Sequence, residues 1–448
     1  MTNKYQSFFA GKRITMLGLG LLGRGVGDAE FITPLCKELL ITDRKSEDEL
    51  RGSVARLKKH PNITFRLGEQ REEDFTNCDM VIKAAGVPLD SPYIAAAKKA
   101  GVPVYMSTAL FAKFAKEMSV TIVGITGTRG KSTVVHLIYH ALHEAGKRAH
   151  LGGNIRGVST LALLPKMQKG DIAILELDSW QLQGFGDLQI SPHIAVFTNL
   201  MPDHLNYYPD METYFNDKAN IFKYQKKGDV LIAGDQVEQK ILRAQPTVDP
   251  LSPLLSKSIK LKILGEHNRE NAALAAAALD TLGLSEEVIH ESLGSFRGIE
   301  GRLQYLGETQ GVKIYNDNNA TTPEATIAAL RALGDGKNIV LIIGGDDKNL
   351  DMSKLVEEIP KWCKGVVMFK ERGTDRIREQ VLAMKGQKID VYEEKGLEAT
   401  VKRAFSVAKE GETLLFSPAF SSFGRYFKNE FDRGDQFVQL VDAHVKAG

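Results

Sequence analysis

The sequence predicts an α/β protein of three consecutive domains. Two observations carry this. Strand-like and helix-like segments alternate through nearly all 448 residues, and two glycine-bearing turns each lie between an apolar strand and a helix. The alternation restarts near residues 115 and 301, so the expected domains are 1–114, 115–300 and 301–448.

Lys and Arg number 58 against 56 Asp and Glu, a net charge of +2, which argues against general affinity for nucleic acid or acidic membranes and leaves small charged ligands open. Cys36, Cys78 and Cys363 share no metal-like spacing and read as free thiols in a reducing compartment. The apolar run Ile14–Leu22 is broken by glycine and too short for a membrane span or a signal peptide. A cytoplasmic protein without membrane insertion is expected.

The first domain opens with RITMLGLGLLGRGVG, in which Gly18, Gly20 and Gly23 form a G-x-G-x-x-G turn. Asp43 closes the next strand, ELLITDR, twenty positions after Gly23, where a dinucleotide fold places its ribose-binding acid. Strands NITFRLG and DMVIKAAG, the turn at Gly86 and the extended VPVYM complete a small Rossmann-like, doubly wound domain. It is expected to bind a nucleotide or a nucleotide-sugar, a purely structural glycine turn being the alternative.

The central domain begins at Val120–Ala145, VTIVGITGTRGKSTVVHLIYHALHEA. An apolar strand runs into a loop ending in Lys131, Ser132 and Thr133, and Val134, Leu137, Ile138, Ala141, Leu142 and Ala145 then recur at helical spacing up to a stop at Gly146. This is a P-loop-type arrangement: backbone amides and the helix dipole face a phosphate chain, Lys131 neutralises its terminal phosphates, and the Ser132 hydroxyl suits Mg2+. The spacing is unusual, because the standard first glycine falls at Ile125 while glycines stand at Gly124 and Gly127.

Two further strands, Asp171–Leu177 (DIAILEL) and Ile194–Asn199 (IAVFTN), end in polar residues. In an open parallel sheet the carboxyl ends form the ligand site, which brings Glu176 with Ser179, and Asp203 with His204, to the phosphate loop. A carboxylate in a strand otherwise of Ile, Ala and Leu fits a Mg2+ beside phosphates better than a solvated surface. Lys218, in the helical METYFNDKANIFKY, reads as a surface lysine. His136, His140 and His143 lack an HExxH pattern and are not taken as a metal set. GEHNRENAALAAAALDTLGL reads as a buried helix whose polar start, His267, Asn268 and Asn271, meets a base or caps the helix.

From Gly301 the strands VKIYNDN, NIVLIIGG, VVMFKE, KIDVYEE and ETLLFSP, each followed by a helical stretch, describe a Rossmann-like third domain. Its strand ends carry Asp317–Thr321, Gly344–Lys348 and Ser417–Ser422. A nicotinamide-dependent oxidoreductase built on Gly18–Gly23 would leave Lys131, Glu176 and His204 without a role; a non-catalytic nucleotide-binding protein is a further alternative.

GTRGKST at Gly127–Thr133, LGGNIRG around Asn154, LELDSWQL around Glu176, TNLMPDHLNYY around His204 and GEHNRENAALA, in that order, resemble the Mur ligase family. The later NDNNATTPEAT, IIGGDDK and SPAFSSFGRYFKNEFDRG narrow the resemblance to the branch that adds D-glutamate to UDP-N-acetylmuramoyl-L-alanine; sibling ligases acting on L-alanine or folate are the nearest alternatives. Essentially the whole chain is covered.

The resemblance implies a monomeric, ATP-dependent amide ligase of peptidoglycan precursor synthesis, with the UDP-sugar in the first domain, ATP in the second and the amino acid in the third. On that basis Gly18, Gly20, Leu21, Leu22, Asp43, Arg44 and Gly86 would hold the UDP moiety, with Asn154 and His204 farther along the same substrate. Gly127, Thr128, Gly130, Lys131, Ser132, Thr133, Asn268, Asn271, Arg302 and Asp317 would serve ATP. Ser132 and Glu176 would hold one Mg2+, and His204 with a CO2-derived carbamate on Lys218 a second. Lys131, Glu176, His204 and Lys218 would form the catalytic set, and Thr321, Lys348, Ser422 and Phe431 would grip D-glutamate. Closure of the third domain over the second is expected during the reaction. Two positions depart from the family pattern: Asn319 stands where many members carry lysine, and Asn206 where aspartate is frequent.

Overall fold

The structure, a computed structural model, describes residues 4–20, 23–88, 90–204, 207–253, 259–386, 389–422, 426–427 and 430–447. The chain forms two compact units, Met1–Ile259 with Glu270–Leu293, and Lys260–Arg269 with Gly294–Gly448.

The first unit holds two parallel sheets. One comprises β1 (Arg13–Leu17), β2 (Glu38–Asp43), β3 (Ile63–Leu67), β4 (Met80–Lys83) and β5 (Val104–Tyr105), in the order β3-β2-β1-β4-β5. The other comprises β6 (Thr121–Thr126), β7 (Ala149–Gly153), β8 (Ile172–Glu176), β9 (Ile194–Phe197) and β10 (Val230–Ala233), in the order β10-β9-β6-β8-β7. In each sheet the strand order reverses beside one strand, β1 or β6, and that strand leads directly into a glycine turn. A crevice for ligands opens at such switch points. Helix Ser107–Glu117 buries Leu110, Phe111 and Phe114 in one apolar cluster that also takes Ile14 and Met16 of β1 and Ile122 of β6. Phe114, the expected end of the first domain, thus lies inside a helix that packs within this shared core.

The second unit has one six-stranded sheet: β11 (Gln304–Thr309), β12 (Val312–Asn316), β13 (Ile339–Ile343), β14 (Cys363–Phe369), β15 (Asp390–Glu394) and β16 (Thr413–Phe416), in the order β11-β12-β16-β13-β14-β15. Alternation along β13 sends Ile339, Leu341 and Ile343 to one core and Val340 and Ile342 to the opposite one, so helices cover both faces.

Three strands were not legible in sequence. β7 and β10 are edge strands, and AHLGG in β7 carries residues poor in strand propensity. β11 pairs antiparallel with β12 and is interrupted by an irregularity between Tyr305 and Gly307, so the third sheet is mixed rather than purely doubly wound. No helix among the described residues is long and apolar enough to cross a membrane.

Candidate active site

In the first unit the phosphate loop lies between β6 and helix Lys131–Glu144. Gly130 takes a left-handed conformation, φ 82°, and an added Cβ would meet the Asn271 carboxamide oxygen, so a side chain is excluded by both backbone and space. Gly124 has a different role. It lies within β6, not in the loop, and a Cβ there would collide with Pro192. The unusual glycine spacing noted in sequence therefore joins a packing glycine to loop glycines. Tethers hold the loop in place: Arg129 N donates to Asn199 Oδ1 at 2.8 Å, and Thr198 Oγ1 donates to Arg129 O at 2.5 Å. Thr128 Oγ1 accepts from Met201 N at 2.9 Å.

Lys131 Nζ donates to Gly127 O at 3.0 Å and to Thr128 O at 3.2 Å, curling over its own loop. Lys218 corrects the surface reading of the sequence, because it is only 1% exposed. Its helix, Met211–Ala219, buries Tyr214, Phe215, Lys218 and Ala219, a face at helical spacing that could have been read from the chain. Lys218 Nζ donates to Gly127 O at 3.0 Å and lies over the Tyr214 ring, 4.7 Å from its centre. Burial, with the Lys131 cation second, pushes the Lys218 pKa well below the ordinary lysine value.

β8 pairs with β6 on one side, and β9 pairs with it on the other. The sheet therefore sets the ends of these three strands side by side, as their polar termini suggested. Glu176 is 5% exposed and accepts from Asn154 Nδ2 at 3.3 Å. His204 follows β9 with φ 54°, 4.9 Å from the Trp180 ring, and Arg129 Nη1 lies 3.4 Å from Asp203 Oδ2. Ser132 and Glu176 offer the hard oxygen donors that Mg2+ takes. Lys218 as an ammonium does not fit a divalent cation, whereas its carbamate would. The described residues hold no cluster of three His, Cys, Asp or Glu ligands, and His136 Nδ1 instead lies 2.8 Å from Ser132 O.

At the other switch point Gly18, Gly20 and Gly23 all have positive φ. The Asp43 carboxylate accepts from Leu19 N at 2.9 Å and Gly20 N at 3.4 Å, so it shapes the glycine turn itself. Arg44 Nε lies 3.4 Å from Gln70 Oε1, and Gly86 occupies the turn after β4. Leu21, Leu22 and Asn206 lie outside the described residues.

In the second unit β16 lies between β12 and β13, which gathers the loops bearing Asp317, Thr321, Lys348 and Ser422 at one sheet edge. Lys348 Nζ donates to Thr321 Oγ1 at 3.2 Å. The Ser422 hydroxyl, in a residue 1% exposed, finds no hydrogen-bond partner among the described residues. Asp317 accepts from Ser417 Oγ at 2.8 Å and Leu303 N at 3.0 Å, and burial pushes its carboxyl up to about 7 against these contacts and the Arg302 charge. Asn319 Nδ2 donates to Glu300 O at 3.3 Å, tying down the turn before β11. Asn268 Nδ2 donates to Leu264 O at 2.7 Å, just ahead of helix Glu266–Thr281. Phe431 is half-buried on helix Glu430–Ala447.

Sequence reasoning missed Arg433 on that helix. It is fully buried: Nε donates to Asn318 Oδ1 at 2.7 Å, Nη2 to Asn318 O at 2.9 Å, and Nη1 to Phe420 O at 3.2 Å and Gly344 O at 3.4 Å. One guanidinium thus binds the loops after β12, β13 and β16. Only the fold brings those segments together; the motif SPAFSSFGRYFKNEFDRG contains Arg433 without showing what it binds.

Two family profiles match the chain, the Mur ligase middle domain over residues 125–252 and the Mur ligase glutamate ligase domain over residues 301–420. A UDP-N-acetylmuramoylalanine–D-glutamate ligase of Roseiflexus sp. is 33% identical, with 97% of this chain and 99% of that protein aligned. Those of Borreliella burgdorferi (strain ZS7) and Clostridium novyi are 34% and 32% identical, covering 95% and 98% of this chain and 97% and 98% of theirs. Among solved structures, UDP-N-acetylmuramate-alanine ligase MurC from Thermotoga maritima superposes with a TM-score of 0.62 at 19% identity, covering 97% of this chain and all of that one. MurF ligase from the same organism, in complex with ADP, has a TM-score of 0.59 at 18% identity, covering 92% of this chain and 96% of that one. At these identities the two structures establish a shared fold.

Proposed function

Because the chain belongs to the Mur ligase family, we propose that it joins D-glutamate to UDP-N-acetylmuramoyl-L-alanine at the expense of ATP, in peptidoglycan precursor synthesis. The observation that carries this reading is near full-length kinship with D-glutamate ligases in a chain that keeps Lys131 at a helix start, Glu176 at a strand end, His204 in the loop after β9 and Lys218 in the last turn of a helix, with Lys131 and Lys218 on the same loop carbonyl.

The chemistry follows from charge. The precursor carboxylate attacks the γ-phosphoryl group of ATP, and negative charge builds on the transferred oxygens. Lys131, freed from the Gly127 and Thr128 carbonyls, is within reach of a phosphate chain laid on the loop and neutralises that charge. Bound Mg2+ ions, one on Ser132 and Glu176 and one on His204 and the Lys218 carbamate, would add positive charge at the same phosphates. Carbamylation requires a neutral amine, which the depressed Lys218 pKa supplies.

The bond from the γ-phosphorus to the β-phosphate oxygen breaks as the new one forms, so ADP leaves and the product is an acyl phosphate. The neutral D-glutamate amine adds to its carbonyl, and the tetrahedral adduct loses a proton from nitrogen to solvent and expels phosphate to leave the amide. Lys348 beside Thr321, with the Ser422 hydroxyl, supplies donors for the carboxylates of a dicarboxylic amino acid. The nucleotide turn at Gly18–Gly23, with Asp43 bracing it, suits the UDP pyrophosphate.

The test is phosphate release by purified protein with ATP, Mg2+ and UDP-N-acetylmuramoyl-L-alanine, comparing D-glutamate, L-glutamate and D-aspartate. Release that needs both the precursor and D-glutamate is expected. Release with another acceptor would overturn the assignment of Thr321, Lys348 and Ser422, and no release with any acceptor would overturn the ligase reading.

A further inference from the structure

Arg24 follows the last glycine of the nucleotide turn and starts helix Arg24–Ile32, whose N-cap is Gly23. Its Nη1 donates to Asn154 Oδ1 at 2.5 Å, while Asn154 Nδ2 donates to Glu176 Oε1 at 3.3 Å. The Asn154 carboxamide is therefore held from both ends. A guanidinium can only donate, so it selects the oxygen; an ionised carboxylate can only accept, so it selects the NH2.

The backbone already fixes where this amide hangs. Asn154 N donates to Glu176 O at 2.8 Å, and Gly153, with φ 82°, brings its own Cα so close to that carbonyl that a Cβ would clash. What remains free is rotation of the side chain, and Arg24 removes it. One helical turn on, Ser159 Oγ donates to Asp28 Oδ1 at 2.5 Å, and a Cβ at Gly27 would come within 2.6 Å of Ser159 Cβ. Helix Arg24–Ile32 is thus pinned at two points to the segment that carries Asn154.

We propose that Arg24 is a positioning residue, which acts through the Asn154 amide to aim the Glu176 carboxylate and so couples the nucleotide turn of the first sheet to the cation-binding edge of the second. Acting through a neutral amide matters. A guanidinium placed directly on Glu176 would cancel the charge that a divalent cation needs, whereas an N–H donor orients the carboxylate and leaves its charge in place. The inference rests on the reading of Glu176 as a cation ligand.

The experiment is a double-mutant cycle on Arg24→Ala and Asn154→Ala, with Arg24→Lys as a conservative variant, reading Mn2+ binding in the presence of ADP by electron paramagnetic resonance alongside phosphate release. Removing a side chain that orients a metal-holding residue costs about 10–100-fold in affinity, so Arg24→Ala is expected to weaken Mn2+ binding at least about 10-fold. Arg24→Lys should recover part of it, and the double variant should bind no worse than Asn154→Ala alone. Equal Mn2+ binding by wild type and Arg24→Ala, or additive losses in the double variant, would overturn the proposal. The Mn2+ readout does not depend on which amino acid is the acceptor. If D-glutamate fails as acceptor while the cycle stays non-additive, the function reading alone falls.

Discussion

Lys131 and Lys218 both donate to the carbonyl oxygen of Gly127, each at 3.0 Å. Two amines of basic residues converge on one acceptor, and only one of them is fully buried. Like charges so placed cannot both ionise easily, and burial decides that Lys218 gives up its proton first.

Lys131→Met removes the neighbouring cation and should raise the Lys218 pKa. The neutral amine is then scarcer at a given pH, so carbamylation, followed by the 13C signal of protein equilibrated with labelled bicarbonate, is expected to need a higher pH than in wild type. A carbamate signal with the same pH profile in both proteins would break the link between the two lysines. Lys218→Ala should lower phosphate release by about 100-fold or more, with partial recovery on adding short-chain carboxylic acids.

Ser422→Ala separates binding from stability. The hydroxyl is buried without a partner among the described residues, so its removal relieves a desolvation cost of about 1 kcal/mol and should leave the free protein as stable or slightly more so. The KM for D-glutamate is expected to rise about 10-fold, through loss of a hydrogen bond to a charged group. Lower stability with unchanged KM would place the hydroxyl in the fold instead of the site.

Asp317 makes stability depend on pH. Its folded-state pKa of about 7 lies above the ordinary 3.8, so the native state favours the neutral acid. Below pH 3.8 both states are protonated and this contribution is complete. As pH rises towards 7 the unfolded chain ionises first, and the native state loses up to about 4 kcal/mol relative to it. Asp317→Asn cannot ionise. In urea denaturation the variant should gain on wild type between pH 4 and pH 8, and a stability gap that does not change with pH would contradict the assignment.

Arg433→Ala leaves Asn318, Gly344 and Phe420 oxygens without their buried donor. A loss of about 1–3 kcal/mol for each buried oxygen that stays unpaired is expected in chemical denaturation, with Arg433→Lys recovering only part because an ammonium cannot reproduce the planar fork. An Arg433→Lys variant as stable as wild type would show that charge alone suffices there.

Local signals announced much of this molecule. The run from Val120 to Ala145 encodes its own strand, loop and helix, because apolar periodicity and a glycine break act over a few residues. Gly18–Gly23 and the five C-terminal strand-and-helix pairs were legible for the same reason. β7, β10 and β11 were not, since edge strands draw their definition from a neighbour as much as from their own residues.

The linear pattern of the chain already put Lys131 at a helix start and Glu176, His204, Asp317, Lys348 and Ser422 at or just after strand ends. Strand polarity is a property of the chain, and polar residues that end apolar runs are visible in one dimension. Folding was needed to bury Lys218 against Gly127, to bring Arg24 to Asn154 across 130 residues, and to set Arg433 between three loops. Those facts depend on which strands become neighbours and on how much water their packing excludes. Long-range pairing and burial set the protonation of Lys218 and the aim of Glu176, and neither is encoded in any local stretch of residues.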